Sequence, residues 1–147
     1  MKISISPELK HDLVDALWDL ELERVCVFFG KVRARSILIS RVVEAENIHA
    51  NPYDHFALGR HQWRALGAQA GDLGLALVGF GHSHPPPHPA EPSADDLAMV
   101  RRYSHLKANA VYHVRSSTLT WYTSAGITSQ EQINQALWVR LLTRLAA

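Results

Sequence analysis

Hydrophobic positions change their period several times along the chain, and each change marks an element. Leu9, Leu13, Ala16, Leu17 and Leu20 recur at helical spacing. Ser6-Pro7-Glu8 ahead of them is a start signal, because serine caps, proline suits the first helical position and glutamate suits the positive end of the dipole. An amphipathic helix is therefore predicted to about residue 22. Over residues 23–31 the period gives way to a continuous apolar run stopped by Gly30, and residues 36–44, rich in Ile, Leu and Val, read as its hairpin partner. Residues 47–54, with Pro52, read as a loop. A second helix is predicted over 59–70, with Leu58, Trp63, Leu66 and Ala70 as its core stripe and Gly71 as its stop. Another apolar strand, residues 75–81, runs straight into His82-Ser83-His84, and five prolines between 85 and 92 forbid regular structure beyond it. Ser93 opens a third helix reaching about residue 105, and strands follow over 110–115 and 119–123. Ile133, Leu137, Leu141 and Leu145 then predict a C-terminal helix over 130–145.

Strands mixed with helices, without regular βαβ alternation, predict an α/β protein of the α+β type, with a mixed central sheet sandwiched by helices. The 147 residues fit a single domain, 1–147. Apolar residues at 47% and charged residues at 20% place it among ordered globular proteins. Fifteen Lys and Arg against fourteen Asp and Glu give +1, which offers no broad electrostatic surface to nucleic acid or anionic lipid. Glu8, Lys10, His11 and Asp12 interrupt the N-terminal segment before any signal-like apolar stretch, and no run approaches a membrane span, so a cytoplasmic location is expected. Cys26, the single cysteine, sits inside an apolar strand and reads as core. The four tryptophans, Trp18, Trp63, Trp121 and Trp138, read as packing residues.

Nine histidines are the one oddity of composition, and His82, His84 and His88 fall within seven positions. His82 and His84 stand two apart at a strand end, so both imidazoles project from one face and can converge on one ion. A catalytic zinc site takes three protein ligands and leaves the fourth position to water. A further ligand must come from elsewhere in the fold, and Asp96 is the natural candidate. The pair alone is weak, since this many histidines give about 0.5 H-x-H matches by chance. Its surroundings strengthen it: an apolar strand before, a rigid proline loop after, and Ser93-x-x-Asp96 at the mouth of a helix. In isolation Ser93 and Asp96 form a capping-box pattern, and the same serine can serve both ends.

The segment GHSHPPPHPAEPSADDL resembles the signature of the JAMM metallopeptidases, also called the MPN+ domain family: a distant glutamate, H-[ST]-H, about seven residues, then S-x-x-D. Upstream, ERVCVFFG from Glu23 to Gly30 is similar to the family's first strand, in which a glutamate stands seven residues before a glycine. Asn47, Pro52 and Phe56 resemble its segment after the second strand, and the likeness spans residues 8–125. It implies an MPN or cytidine-deaminase-like architecture, zinc (Zn2+) held by His82, His84 and Asp96, Glu23 as general base and Ser93 as oxyanion donor. Such chemistry is physically coherent: zinc lowers the pKa of water to about 7, a carboxylate carries its proton to the leaving amine, and a hydroxyl meets the developing charge.

One departure matters. Eight residues, 85–92, separate His84 from Ser93 where the family has seven. Counting from His84 points to Asp95, and counting from Ser93 points to Asp96. Asp96 is preferred, because a loop absorbs an insertion while Ser93 and Asp96 share one helical turn, with Asp95 about 100° away. Glu21 is the fallback for Glu23, Glu44 and Glu46 are weaker alternatives, and His88, in the proline loop, reads as solvent-exposed rather than as a fourth nitrogen ligand. Further, the resemblance implies a deubiquitinase-like isopeptidase acting at the C-terminus of a ubiquitin-like or sulfur-carrier-like protein, with E1-like or E2-like operon partners. Its rivals are a non-catalytic MPN-type binding scaffold and a peptidase for a small conjugate such as a C-terminal cysteine adduct. Oligomeric state is left open.

Overall fold

The computed structural model describes residues 1–133. Its elements in chain order are β1 (Lys2–Ser4), α1 (Pro7–Leu17), β2 (Val25–Val32), β3 (Ser36–Ala45), α2 (Arg60–Asp72), β4 (Ala76–His84), α3 (Ala94–Arg102), β5 (Ala108–His113), β6 (Thr118–Thr123) and β7 (Gly126–Gln132). Among the described residues the strands form one mixed sheet in the order β1-β3-β2-β4-β5-β6-β7. The β1–β3 and β4–β5 pairs are parallel and the remainder antiparallel. The architecture expected from the sequence is therefore the one observed, including the β2–β3 hairpin.

Helices cover both faces, which explains why β2 is apolar without alternation: a strand buried on both sides needs no polar row. On one face α1 lays Leu13, Val14 and Leu17 against Cys26, Phe28 and Ile37. On the other, Leu66 and Ala70 of α2 and Val100 of α3 pack on Val27, Phe29, Phe80 and Val111. Cys26 is fully buried, and burial pushes its thiol well above the ordinary range. Trp121 lies in the first core and Trp18 and Trp63 pack partly buried against the cores, while Trp138 lies outside the described residues. No helix among the described residues is long and apolar enough to cross a membrane.

Several boundaries differ from expectation for local reasons. Helix α1 stops at Leu17, not near residue 22, because Asp19 Oδ1 accepts the N–H groups of Glu21 at 2.8 Å and Leu22 at 2.9 Å and turns the chain. Helix α2 passes through Gly71 and stops at Asp72, with Gly74 at φ +70° taking the left-handed turn. Helix α3 ends at Arg102, capped at Tyr103. Gln130–Gln132 belong to β7, so the predicted C-terminal helix does not begin there. The polar face of this edge strand carries no apolar period, and its hairpin register with β6, Trp121 opposite Ser129, fixes it instead. Residues 134–145 of that prediction lie outside the described residues. Strand β1, three residues long, is too short to leave a pattern.

Strand β3 is paired by β1 only over Ser36–Leu38. At its far end the Gln62 side chain accepts from Glu46 N–H at 2.6 Å and donates to Glu46 C=O at 3.0 Å. Strand β4, between β2 and β5, depends on a close approach. A Cβ on Gly79 would stand 1.6 Å from the Ala108 carbonyl oxygen of the parallel neighbour. Gly79→Ala is expected to lower stability by about 2–3 kcal/mol. Gly67→Ala, in α2 with nothing within 4 Å of the new Cβ, is expected to raise it by about 0.5–1 kcal/mol. Urea unfolding of the two variants checks both signs.

Candidate metal centre

Glu23 follows the Asp19 turn and stands two residues before β2, and its backbone is fastened on both sides. Its N–H donates to Pro52 C=O at 2.7 Å, and its C=O accepts from Asn47 Nδ2 at 2.8 Å. The next residue, Arg24, donates its N–H to Ser83 Oγ at 2.8 Å, and Ser83 N–H returns to Arg24 C=O at 3.0 Å. These bonds tie Glu23 to β4 beside the histidines. Its side chain is buried, at 3% exposure. Burial raises its pKa to about 7, against the lowering effect of His84 and with help from the negative charges of Asp96 and Asp54.

His82 and His84 project from the end of β4, where successive side chains alternate, so both rings face the same side while Ser83 faces the other. Their Nε2 atoms are 3.3 Å apart. Asp96, in the first turn of α3, places Oδ2 3.1 Å from each of them. All three are buried. The Nδ1 of His84 lies 2.8 Å from the Pro89 carbonyl, which can only accept, so Nδ1 carries the proton and the Nε2 lone pair is left for the centre. Phe56 stacks on the His82 ring at 4.4 Å and Tyr122 meets it edge-on at 6.4 Å, so His82 is held by ring packing; its Nδ1 has no partner among the described residues.

The same convergence sets the charges. Burial alone would raise Asp96, but His82 and His84 hold its carboxyl well below the usual range, with the Ser93 N–H helping. Burial lowers His82 despite Asp96. For His84 burial also works against the charge, but the bond to Asp96 and the Pro89 carbonyl carry it above its ordinary value. A triangle of two imidazole nitrogens and one carboxylate oxygen, with sides of 3.3, 3.1 and 3.1 Å, matches the face of a tetrahedron whose ligands stand about 2.0–2.2 Å from a zinc ion. The donor set therefore fits zinc. Glu23 also lies close, with one carboxylate oxygen and one nitrogen of each histidine all within 4.8 Å of one another, so the histidine pair has a carboxylate on two sides. Asp96 Oδ2, at 3.1 Å from each Nε2, is the nearer of the two carboxylates.

Ser93 caps α3 in a reciprocal box, its Oγ accepting from Asp96 N–H at 3.1 Å and its own N–H donating to Asp96 Oδ2 at 2.8 Å. The capping role uses the lone pair and leaves the hydroxyl proton for the cleft, of about 170 Å³, that Ser93 lines with Glu23, His84, Asp96 and Met99.

Other acids and histidines do not join this triangle, although Asp95 and His88 line the same cleft. Asp95 is exposed, 3.8 Å from His55 Nδ1. Glu21, Glu44 and Glu46 are exposed. His88 Nε2 binds the Tyr53 carbonyl at 3.0 Å and Asp54 at 3.1 Å, bridging two loops. His113 Nε2 holds the proline loop through His88 C=O at 2.8 Å. Sequence reasoning gave no role to Ser83, although the H-[ST]-H pattern marks a hydroxyl residue there. It also gave no role to Asn47, which uses its whole side-chain amide: besides Glu23 it donates to His55 C=O at 2.9 Å, and Oδ1 accepts from His49 N–H at 3.1 Å and Ala57 N–H at 3.0 Å. Asn47→Ala is expected to cost about 2–3 kcal/mol, several net hydrogen bonds of about 1 kcal/mol each. The exposed Glu44→Ala is expected to change stability by less than about 0.5 kcal/mol; chemical denaturation of both variants gives the comparison.

Residues 9–132 match the family model described as prokaryotic homologs of the JAB domain. No curated protein matches the chain. Among solved structures it is similar to a protein of Desulfitobacterium hafniense, at 19% identity over 89% of this chain and 90% of that one, with a TM-score of 0.66. It is also similar to a protein of Salinibacter ruber, at 24% identity over 90% of each chain and a TM-score of 0.55. At those identities the two solved structures show the shared fold, whereas the family model spans most of the sequence and all the residues of the centre. The chain belongs to the JAB domain family, among its prokaryotic homologs.

Proposed function

We propose that this protein is a zinc-dependent metallopeptidase that hydrolyses an amide or isopeptide bond at the C-terminus of a ubiquitin-like or sulfur-carrier-like protein. The observation that carries the reading is the convergence of His82, His84 and Asp96 within 3.3 Å of one another beside a buried glutamate. His82, His84 and Asp96 would hold the ion. When bound, zinc supplies a Lewis acid that makes water nucleophilic near neutral pH. Glu23, desolvated and with a pKa near 7, takes the proton of the attacking water and delivers it to the leaving amine. Its fastened backbone fixes where that carboxylate stands. Ser93 points a hydroxyl donor at the carbonyl oxygen as negative charge develops there. An E1-like or E2-like gene product would supply the conjugate.

Three variants test the assignment. Asp96→Ala is expected to lose zinc and Asp95→Ala to keep it, as read by elemental analysis of the purified proteins. Glu23→Gln is expected to retain one zinc while cleavage of a ubiquitin-like fusion falls by about 10³-fold. Ser93→Ala is expected to slow cleavage by about 10²-fold. Full activity in Glu23→Gln would remove the glutamate from the mechanism, and wild-type protein purified without metal would favour a binding scaffold.

A further inference from the structure

A second cavity, of about 280 Å³, lies between α2 and α3 and is lined by Leu58, Arg60, Trp63, Met99, Tyr103 and Leu106. It is the more apolar of the two clefts near the centre, and Met99 lines both. Helix geometry sets the spacing. Asp96, Met99 and Tyr103 follow one another at intervals of three and four residues, so they lie along one side of α3, with Tyr103 about 10 Å along the axis from Asp96. An extended chain covers that distance in about three residues.

Charge is distributed along this path with opposite signs at its ends. Around the metal cleft stand Asp54 and Asp95, both exposed. At the apolar cavity the lining charge is Arg60, and Arg102 lies with its guanidinium 5.6 Å from the centre of the Tyr103 ring. Arg64, Arg101 and Lys107 are exposed on the same helices or just beyond them. Among the described residues no carboxylate forms an ion pair with Arg60, Arg101 or Arg102. The cavity thus offers a large apolar side chain somewhere to go, and its rim leaves positive charge unanswered.

We infer that this cavity is a specificity subsite for the substrate's C-terminal tail, taking a leucine-sized residue about three positions before the scissile bond and favouring acidic over basic residues beyond it. The inference rests on the peptidase reading for the direction of the tail, and it narrows the substrate class. A tail bearing arginines next to its apolar residue, with a diglycine end, places like charges against Arg60 and Arg102. A tail bearing glutamates does the opposite.

The test reads binding without turnover, using zinc-loaded full-length protein carrying Glu23→Gln and fluorescently labelled pentapeptides at low ionic strength. The probes are Glu-Glu-Leu-Gly-Gly, Arg-Arg-Leu-Gly-Gly and Glu-Glu-Ala-Gly-Gly, followed by anisotropy. The first is expected to bind at least about tenfold more tightly than either of the others. Adding Arg60→Glu and Arg102→Glu, both at exposed positions, is expected to reverse the order of the first two. Equal affinity for the acidic and basic peptides, an unchanged order in the charge-reversed protein, or binding of none of the three would overturn the subsite. Because no cleavage is needed, a wild-type enzyme that hydrolyses nothing would defeat the peptidase reading alone, and one that cleaves acidic and basic tails equally well would defeat the subsite alone.

Discussion

One carboxylate oxygen, Oδ2 of Asp96, lies 3.1 Å from the Nε2 atoms of both His82 and His84 and accepts the Ser93 N–H at 2.8 Å. The end of β4 and the start of α3 are joined at this atom. A buried anion without such partners would be very costly, and the two rings without the anion would bury nitrogen atoms to no purpose. The proline loop between these elements therefore has a defined task, which is to return the chain so that a helix N-terminus faces a strand C-terminus. The His84–Pro89 bond fixes the ring from the loop side. An additional residue within the loop leaves this arrangement intact, because Ser93 and Asp96 are set by the helical turn rather than by the distance from His84.

The opposite wall is built by different means. Glu23 has no regular secondary structure to hold it, and its position comes from backbone bonds to three residues, Pro52, Asn47 and, through Arg24, Ser83. Asn47 gathers the loop around itself, and the loop in turn sets Phe56 on the His82 ring. The carboxylate and the imidazoles are thus positioned by one connected set of contacts. A carboxylate held this way is preorganised, with the cost of its desolvation met by the fold.

Much of this was legible in the sequence because it rested on local rules. The Ser6 and Ser93 caps, the apolar run of β2, and the H-x-H pair ahead of a proline-rich loop are short-range patterns, and the structure places each where the pattern implies. That Asp96 faces the histidines while Asp95 faces solvent follows from the 3.6-residue turn. What was not legible was set by long-range partners. Strand β7 is polar and shows itself only through its pairing with β6, and the early end of α1 depends on an Asp19 side chain turning back on its own backbone. The importance of Ser83 and Asn47 comes from contacts across 59 and 24 residues, which no periodicity reports.

The amide of Gln62, paired with both backbone groups of Glu46, acts as a one-residue imitation of a neighbouring strand. Strand β3 is covered by β1 at one end and by this side chain just past the other, while Arg41 and Glu44 place opposite charges on the stretch between. Unpaired edges of this length are where folded proteins recruit one another into extended sheets. Helix α2 therefore contributes to more than the core: its first turn occupies both backbone groups of Glu46, closing that position to a second strand.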